Sequence, residues 1–139
     1  MTFNGETLDI PFLGGFNRPK IQWVDWDTDG DIDLFILDAS GYLRYLENQG
    51  NANTPDFHLI TTSYQDIFCG GWFHFADYDN DGDLDLSAQN GDEPDHISYF
   101  QNNGEGQLVF SAVLPAVGVG YLTSSSVMTP TFSDIDNDG

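Results

Sequence analysis

Short apolar runs alternate with clusters of Gly, Asn, Asp and Pro along the chain, and no stretch keeps the spacing of an amphipathic helix. Four such runs come first: Lys20–Val24, Ile32–Leu37, Tyr42–Leu46 and Phe57–Thr62. Ser40-Gly41 punctuates them as a turn and Asn48–Pro55 as a loop. Four more follow in the same order: Trp72–Ala76, Leu84–Ala88, His96–Phe100 and Leu108–Val113. Runs of this length, rich in β-branched and aromatic residues and bounded by turn formers, predict strands. The expected fold class is therefore all-β.

The runs belong to a repeat. Val24-Asp25-Trp26-Asp27-Thr28-Asp29-Gly30-Asp31-Ile32-Asp33-Leu34 returns as Ala76-Asp77-Tyr78-Asp79-Asn80-Asp81-Gly82-Asp83-Leu84-Asp85-Leu86, and begins again as Ser133-Asp134-Ile135-Asp136-Asn137-Asp138-Gly139. Tyr45-Leu46-Glu47-Asn48-Gln49-Gly50 matches Tyr99-Phe100-Gln101-Asn102-Asn103-Gly104, and Phe57 and Phe110 follow these segments as a further pair. Phe3 precedes the first loop much as Phe57 and Phe110 precede the later ones, so the N-terminal stretch is expected to close a preceding repeat. Four strands per repeat of roughly 50 residues predict β-propeller-type blades of four antiparallel strands. The expected division is the end of a blade at 1–19, full blades at 20–71 and 72–128, and the start of a third at 129–139. That makes two full blades plus partial flanking blades.

Composition narrows the partners. The 139 residues are 40% hydrophobic and 14% aromatic, enough to bury a core and unlike a disordered acidic segment. There are 23 Asp and Glu against 3 Lys and Arg, a net charge of −20. A folded chain so charged repels itself, and it lacks the basic surface that nucleic acids and other polyanions require. Metal cations are its natural partner. Cys69 is the sole cysteine, which excludes an internal disulfide and a cysteine-based zinc site and predicts a small buried residue. No segment has the ~20 apolar residues of a membrane span. The N-terminus lacks a basic region followed by an apolar run, so a chain outside the cell would be a mature or partial one.

The repeated loops carry the candidate chemistry. Their pattern is Asp-x-Asp-x-Asp-Gly-x-x-Asp. Calcium takes six to eight oxygen ligands in a flexible cage. Alternate side chains of a tight loop can converge, so Asp25, Asp27 and Asp29, and likewise Asp77, Asp79 and Asp81, are expected to offer carboxylates at positions 1, 3 and 5. Position 7 would offer the backbone carbonyl of Asp31 or Asp83, and position 9 the carboxylate of Asp33 or Asp85. Gly30 and Gly82 are expected at a bend where a Cβ would clash. An EF-hand would need Glu at position 12, where Ile36 and Ala88 stand in strand patterns. The crowd of carboxylates disfavours magnesium, and the lack of Cys and His ligands disfavours zinc. Five carboxylates in nine residues repel one another, so each loop is expected to be poorly ordered without calcium.

Loops and repeat length together resemble the FG-GAP and VCBS repeats of integrin α-subunit propellers and of many secreted bacterial proteins. Phe75–Leu86 is very close to the VCBS pattern, and Tyr45–Pro55 is similar to that family's recurrent segment. The resemblance implies a propeller with a calcium loop between the first and second strands of each blade. Asp134, Asp136 and Asp138 match the first three ligand positions of a third site whose positions 7 and 9 are missing. It also implies an extracellular setting, where calcium is abundant. Two blades cannot close a ring, which leaves a piece of a longer protein, several copies in a ring or head-to-tail filament, or another stack.

The function expected from all this is a calcium-binding extracellular repeat module for adhesion, contacting a protein or glycan ligand. A self-assembling subunit and an accessory or catalytic part of a polysaccharide-degrading enzyme are the alternatives. For catalysis the chain offers Glu6, Glu47, Glu93 and Glu105, none in a recognisable setting, and no nucleophile motif. His58, His74 and His96 share no motif and are expected to be structural. Trp23 and Trp72 are expected in the blade core. Trp26 and Tyr78, at position 2 of their loops, are expected to be exposed and to form a contact surface.

Overall fold

The computed structural model describes residues 16–114, together with the backbone of Thr2–Phe3 and Glu6–Thr7. Those two short segments, β1 (Thr2–Phe3) and β2 (Glu6–Thr7), pair antiparallel. The expected start of a third blade, with Asp134, Asp136 and Asp138, lies outside the described residues.

The first blade contains β3 (Lys20–Val24), β4 (Asp33–Leu37), β5 (Leu43–Asn48) and β6 (Phe57–Thr61), hydrogen-bonded in that order. The second contains β7 (Phe73–Ala76), β8 (Asp85–Gln89), β9 (Ile97–Asn102) and β10 (Leu108–Val113), again in chain order. Every pairing is antiparallel, and the sequence-predicted strands agree to within two residues at each end. The two acidic loops fall between β3 and β4 and between β7 and β8. Asp33 and Asp85 are the first residues of the strands that follow.

Strand register corrects one alignment. Phe57 lies opposite Asn48, but the residue opposite Asn102 is Leu108, and Phe110 lies opposite Phe100. Leu108 is thus the counterpart of Phe57, and the aromatic two residues later misled the sequence comparison. Both blades have a bulge in this last strand pair, which shifts the pattern without breaking it.

The core lies between the blades. Val24, Phe35, Leu37, Leu43 and Tyr45 of the first sheet meet Phe73, Phe75, Leu86, Ala88 and Leu108 of the second. Burial of each Val, Leu and Phe side chain among them contributes about 1.5–3 kcal/mol. Polar clamps fix the register between sheets. The side-chain amide of Gln22 on β3 donates to the Phe75 carbonyl (2.7 Å) and accepts from the Phe75 N–H (2.8 Å) on β7. A 3-10 turn at Tyr64–Asp66 links the blades, with Gln65 at φ 49° and Asp66 at φ 55°. Gln65 Nε2 donates to the Gly106 carbonyl (2.6 Å), and Gln65 Oε1 accepts from the Leu108 N–H (3.0 Å).

The tryptophans reverse two expectations. Trp72 is buried as expected, but Trp23 is 51% exposed and Trp26 only 9% exposed. Trp26 sits between the blades, with ring centroids 5.3 Å from Phe35 and 4.9 Å from Phe75. Its Nε1–H donates to the Tyr64 hydroxyl (2.8 Å), which donates onward to the Gly106 carbonyl (3.0 Å). The physical reason is alternation. Successive strand residues face opposite sides of a sheet, and the Gln22–Val24–Trp26 side faces the second blade while Ile21 and Trp23 face away. Tyr78, expected to be exposed, is half-buried.

Candidate metal centres

Each acidic loop is shaped by its own carboxylates. In the first, Asp27 Oδ1 accepts from the Asp29 N–H (3.3 Å), Asp29 Oδ1 from the Asp31 N–H (3.0 Å), and Asp25 Oδ2 from the Gly30 N–H (3.2 Å). The second repeats the set: Asp79 Oδ1 with Asp81 N–H (3.3 Å), Asp81 Oδ1 with Asp83 N–H (3.0 Å), and Asp77 Oδ2 with Gly82 N–H (3.1 Å). A side chain bonding to the backbone two residues on is a turn-forming device of Asp. It uses one oxygen of each carboxylate and leaves the other for a ligand, except that Asp79 Oδ2 also accepts from Gln101 Nε2 (2.5 Å).

The glycines are needed for a different reason from the one expected. A Cβ on Gly30 or Gly82 would meet nothing within 4 Å. Their φ values, +95° and +98°, are what other residues avoid. Thr28 and Asn80, at position 4, also have positive φ, 60° and 59°. The coiling of both loops therefore places strain at matching positions.

Carboxylate oxygens of Asp25, Asp27 and Asp29 lie within 4.8 Å of one another, as do those of Asp77, Asp79 and Asp85. These clusters could hold a metal ion. Positions 1 and 3 take part in both; the third member is position 5 in one loop and position 9 in the other. Asp81 and both position-7 residues, Asp31 and Asp83, are outside these trios, as is Asp33. Two buried carboxylate oxygens in the first loop, Asp25 Oδ1 and Asp31 Oδ1, have no hydrogen-bond partner. An orphaned buried oxygen among like charges is costly, and a cation is the partner that would satisfy it. Loss of hydration, then the neighbouring Asp29, Asp33 and Asp25 carboxylates, hold the Asp31 carboxyl above its usual range. Although Asp27 is exposed, partial loss of hydration raises its carboxyl too, with Asp33, Asp29 and Glu47 adding to it against the Asp29 N–H.

The position-9 residues have a second task that the loop pattern alone did not reveal. Asp33 Oδ2 accepts from the Trp26 N–H (3.2 Å) and the Tyr45 hydroxyl (3.1 Å), and its Oδ1 from the Asn48 N–H (2.8 Å). Asp85 receives the same three donors from Tyr78, Tyr99 and Asn102, at 3.2, 2.9 and 2.8 Å. The Tyr-x-x-Asn spacing common to Tyr45–Asn48 and Tyr99–Asn102 was the sequence signal for this hub. Burial first, and then the adjacent carboxylate, raise both tyrosine hydroxyls well above their ordinary pKa, so they stay protonated donors. Ionised Asp offers about four lone-pair sites, so one remains for a ligand.

The remaining candidates do not join these sites. His74 Nδ1 lies 3.0 Å from the Tyr78 hydroxyl, and burial lowers its pKa. His58 pairs with Asp56 (3.3 Å) and His96 with Glu93 (2.7 Å). Glu47 accepts from Gln49 Nε2 (2.5 Å). Cys69 is buried, and burial pushes its thiol up to about 12.

A family model described as "FG-GAP-like repeat" matches residues 25–88 and again 77–139. Each match begins on the first Asp of an acidic loop and runs into the next loop, so the second loop is shared and the incomplete third is included. No curated protein and no solved structure matches the chain.

Proposed function

Because the chain belongs to the FG-GAP-like repeat family, whose repeats commonly mediate adhesion or ligand binding and are typically non-catalytic, we propose that it is an extracellular calcium-binding module. It presents a rigid surface to a protein or glycan ligand. The observation that carries this reading is the pair of three-carboxylate clusters, built by duplicate hydrogen-bond patterns, with orphaned buried oxygens in the first. Asp25, Asp27, Asp29 and Asp33 would hold one calcium ion, with Asp31 completing the cage. Asp77, Asp79, Asp81 and Asp85 would hold another with Asp83, and Asp134, Asp136 and Asp138 would start a third. Calcium fits better than magnesium because the oxygens are many, anionic and loop-borne. Extracellular calcium suits sites of modest affinity. Among the described residues no helix is long and apolar enough to cross a membrane.

Thermal unfolding tests the reading. Millimolar calcium should raise the midpoint by several degrees over chelator, and equimolar magnesium by much less. Binding to a panel of extracellular proteins and glycans should appear in calcium and vanish in chelator. Equal midpoints in calcium, magnesium and chelator would overturn the calcium reading. Turnover of a polysaccharide would overturn the non-catalytic one.

A further inference from the structure

The two blades are joined by an aromatic plug. Phe75, two residues before the second loop, is 2% exposed, and its ring lies 4.9 Å from Trp26 and 4.6 Å from Phe35. Tyr45 backs this socket by stacking on Phe35 at 4.8 Å. Trp26, Phe35 and Tyr45 have repeat counterparts in Tyr78, Ser87 and Tyr99: both tyrosines pair across the sheet with the residue named before them. Tyr78, Ser87 and Tyr99 line an open pocket of about 300 Å³ with Asp79 and Leu114. Ser87 in the place of Phe35 removes a ring from the corresponding socket, which is open.

The other outer face of the described sheets, on β3, carries an unsheathed plug. Trp23 holds the repeat position of Phe75 and is 51% exposed. Ile21 beside it is 55% exposed, whereas its counterpart Phe73 is 5% exposed. An adjacent pair of large apolar side chains on an open sheet face marks an interaction surface.

We propose that these ends meet between copies of the chain, Trp23 of one entering the Tyr78–Ser87–Tyr99 pocket of the next and repeating the contact that Phe75 makes within the chain. The larger indole matches a socket that has lost the Phe35 ring. The Asp79 carboxylate at the pocket offers an acceptor for its Nε1–H, as the Tyr64 hydroxyl does for Trp26. The plug and socket lie on different surfaces, so the contact is heterologous and adds copies head to tail.

Light scattering on the full chain in millimolar calcium, over a concentration series, tests this. The wild-type mass should rise with concentration above 15.4 kDa. Trp23→Ser, at an exposed position, should fold and associate about a hundredfold more weakly. Ser87→Trp should fill the pocket and also give a monomer. An equimolar mixture of the two variants should form one dimer and stop, because only one plug and one socket remain usable. A wild type that stays at 15.4 kDa, or a Trp23→Ser variant that associates as well as wild type, would overturn the proposal. So would association that begins only after Phe132→Ser, which would assign the pocket to the chain's own third repeat.

Discussion

Asp33 and Asp85 each collect three donors in a buried setting. A buried donor left without an acceptor costs about 1–3 kcal/mol. Asp33→Ala should therefore lower unfolding free energy by about 3 kcal/mol or more, in chelator as well as in calcium, as read from urea denaturation. Asp27→Asn should behave differently. Its exposed carboxylate makes only the local bond to Asp29, which an amide oxygen can also accept. It should leave stability in chelator within about 0.5 kcal/mol and weaken only the response to calcium. Equal losses for both variants would contradict this separation of roles. His74 supplies a pH dependence. Burial lowers its pKa from 6.5, so the folded chain favours the neutral ring and the unfolded chain takes up the proton more readily. Its contribution is complete above about pH 6.5 and is lost as pH falls through the lower folded value. In chelator, His74→Gln should flatten the fall in stability below pH 6.5 relative to wild type. At this scale the sequence was legible for residue type but not for direction. It marked Trp23 and Trp26 as aromatic and assigned them to the wrong sides, because the side a strand buries depends on where the next blade packs. The alternation of Gln22, Val24 and Trp26 was the available signal.

At the scale of elements, eight short apolar runs became eight strands because turn formers bound each run and no helical period competes. The acidic loops were legible for the same reason: Asp at alternate positions both turns the chain and gathers oxygens. The 3-10 turn at Tyr64–Asp66 was not legible, since Gln65 adopts a positive φ with the support of partners in the second blade, Gly106 and Leu108. The role of glycine in the loops gives an element-scale prediction. Gly30→Ala meets no neighbour, but φ +95° opposes it. The substitution should cost about 1 kcal/mol or more and should weaken calcium binding by distorting the bend. Urea denaturation and a calcium titration of the variant check the two effects. If a Cβ clash were the constraint instead, the damage would be much larger. Hydrogen exchange across 25–32 should slow on adding calcium, while exchange in β4 and β5 changes little.

Across the whole molecule, the blades are coupled by a buried aromatic core and by side chains that reach from one sheet to the other. The Tyr64 hydroxyl links Trp26 Nε1 to the Gly106 carbonyl. Tyr64→Phe should keep the ring packing but leave the indole N–H without an acceptor, lowering stability by about 1–3 kcal/mol. Wild type should unfold in one transition, and Gln22→Ala combined with Tyr64→Phe should separate the transitions of the two sheets. The repeat could be read from the sequence, but the clamps could not, because they join residues far apart in the chain through side chains that carry no motif. The acidic loops are the proposed calcium sites, and the proposed function turns on that assignment. Calorimetric titration of calcium into the chelator-stripped chain, alongside the Asp27→Asn/Asp79→Asn double variant, tests it most directly. Saturable binding with at least two ions per chain, with two fewer in the double variant, is the predicted result. No binding at millimolar calcium, or the same stoichiometry in both proteins, would contradict it.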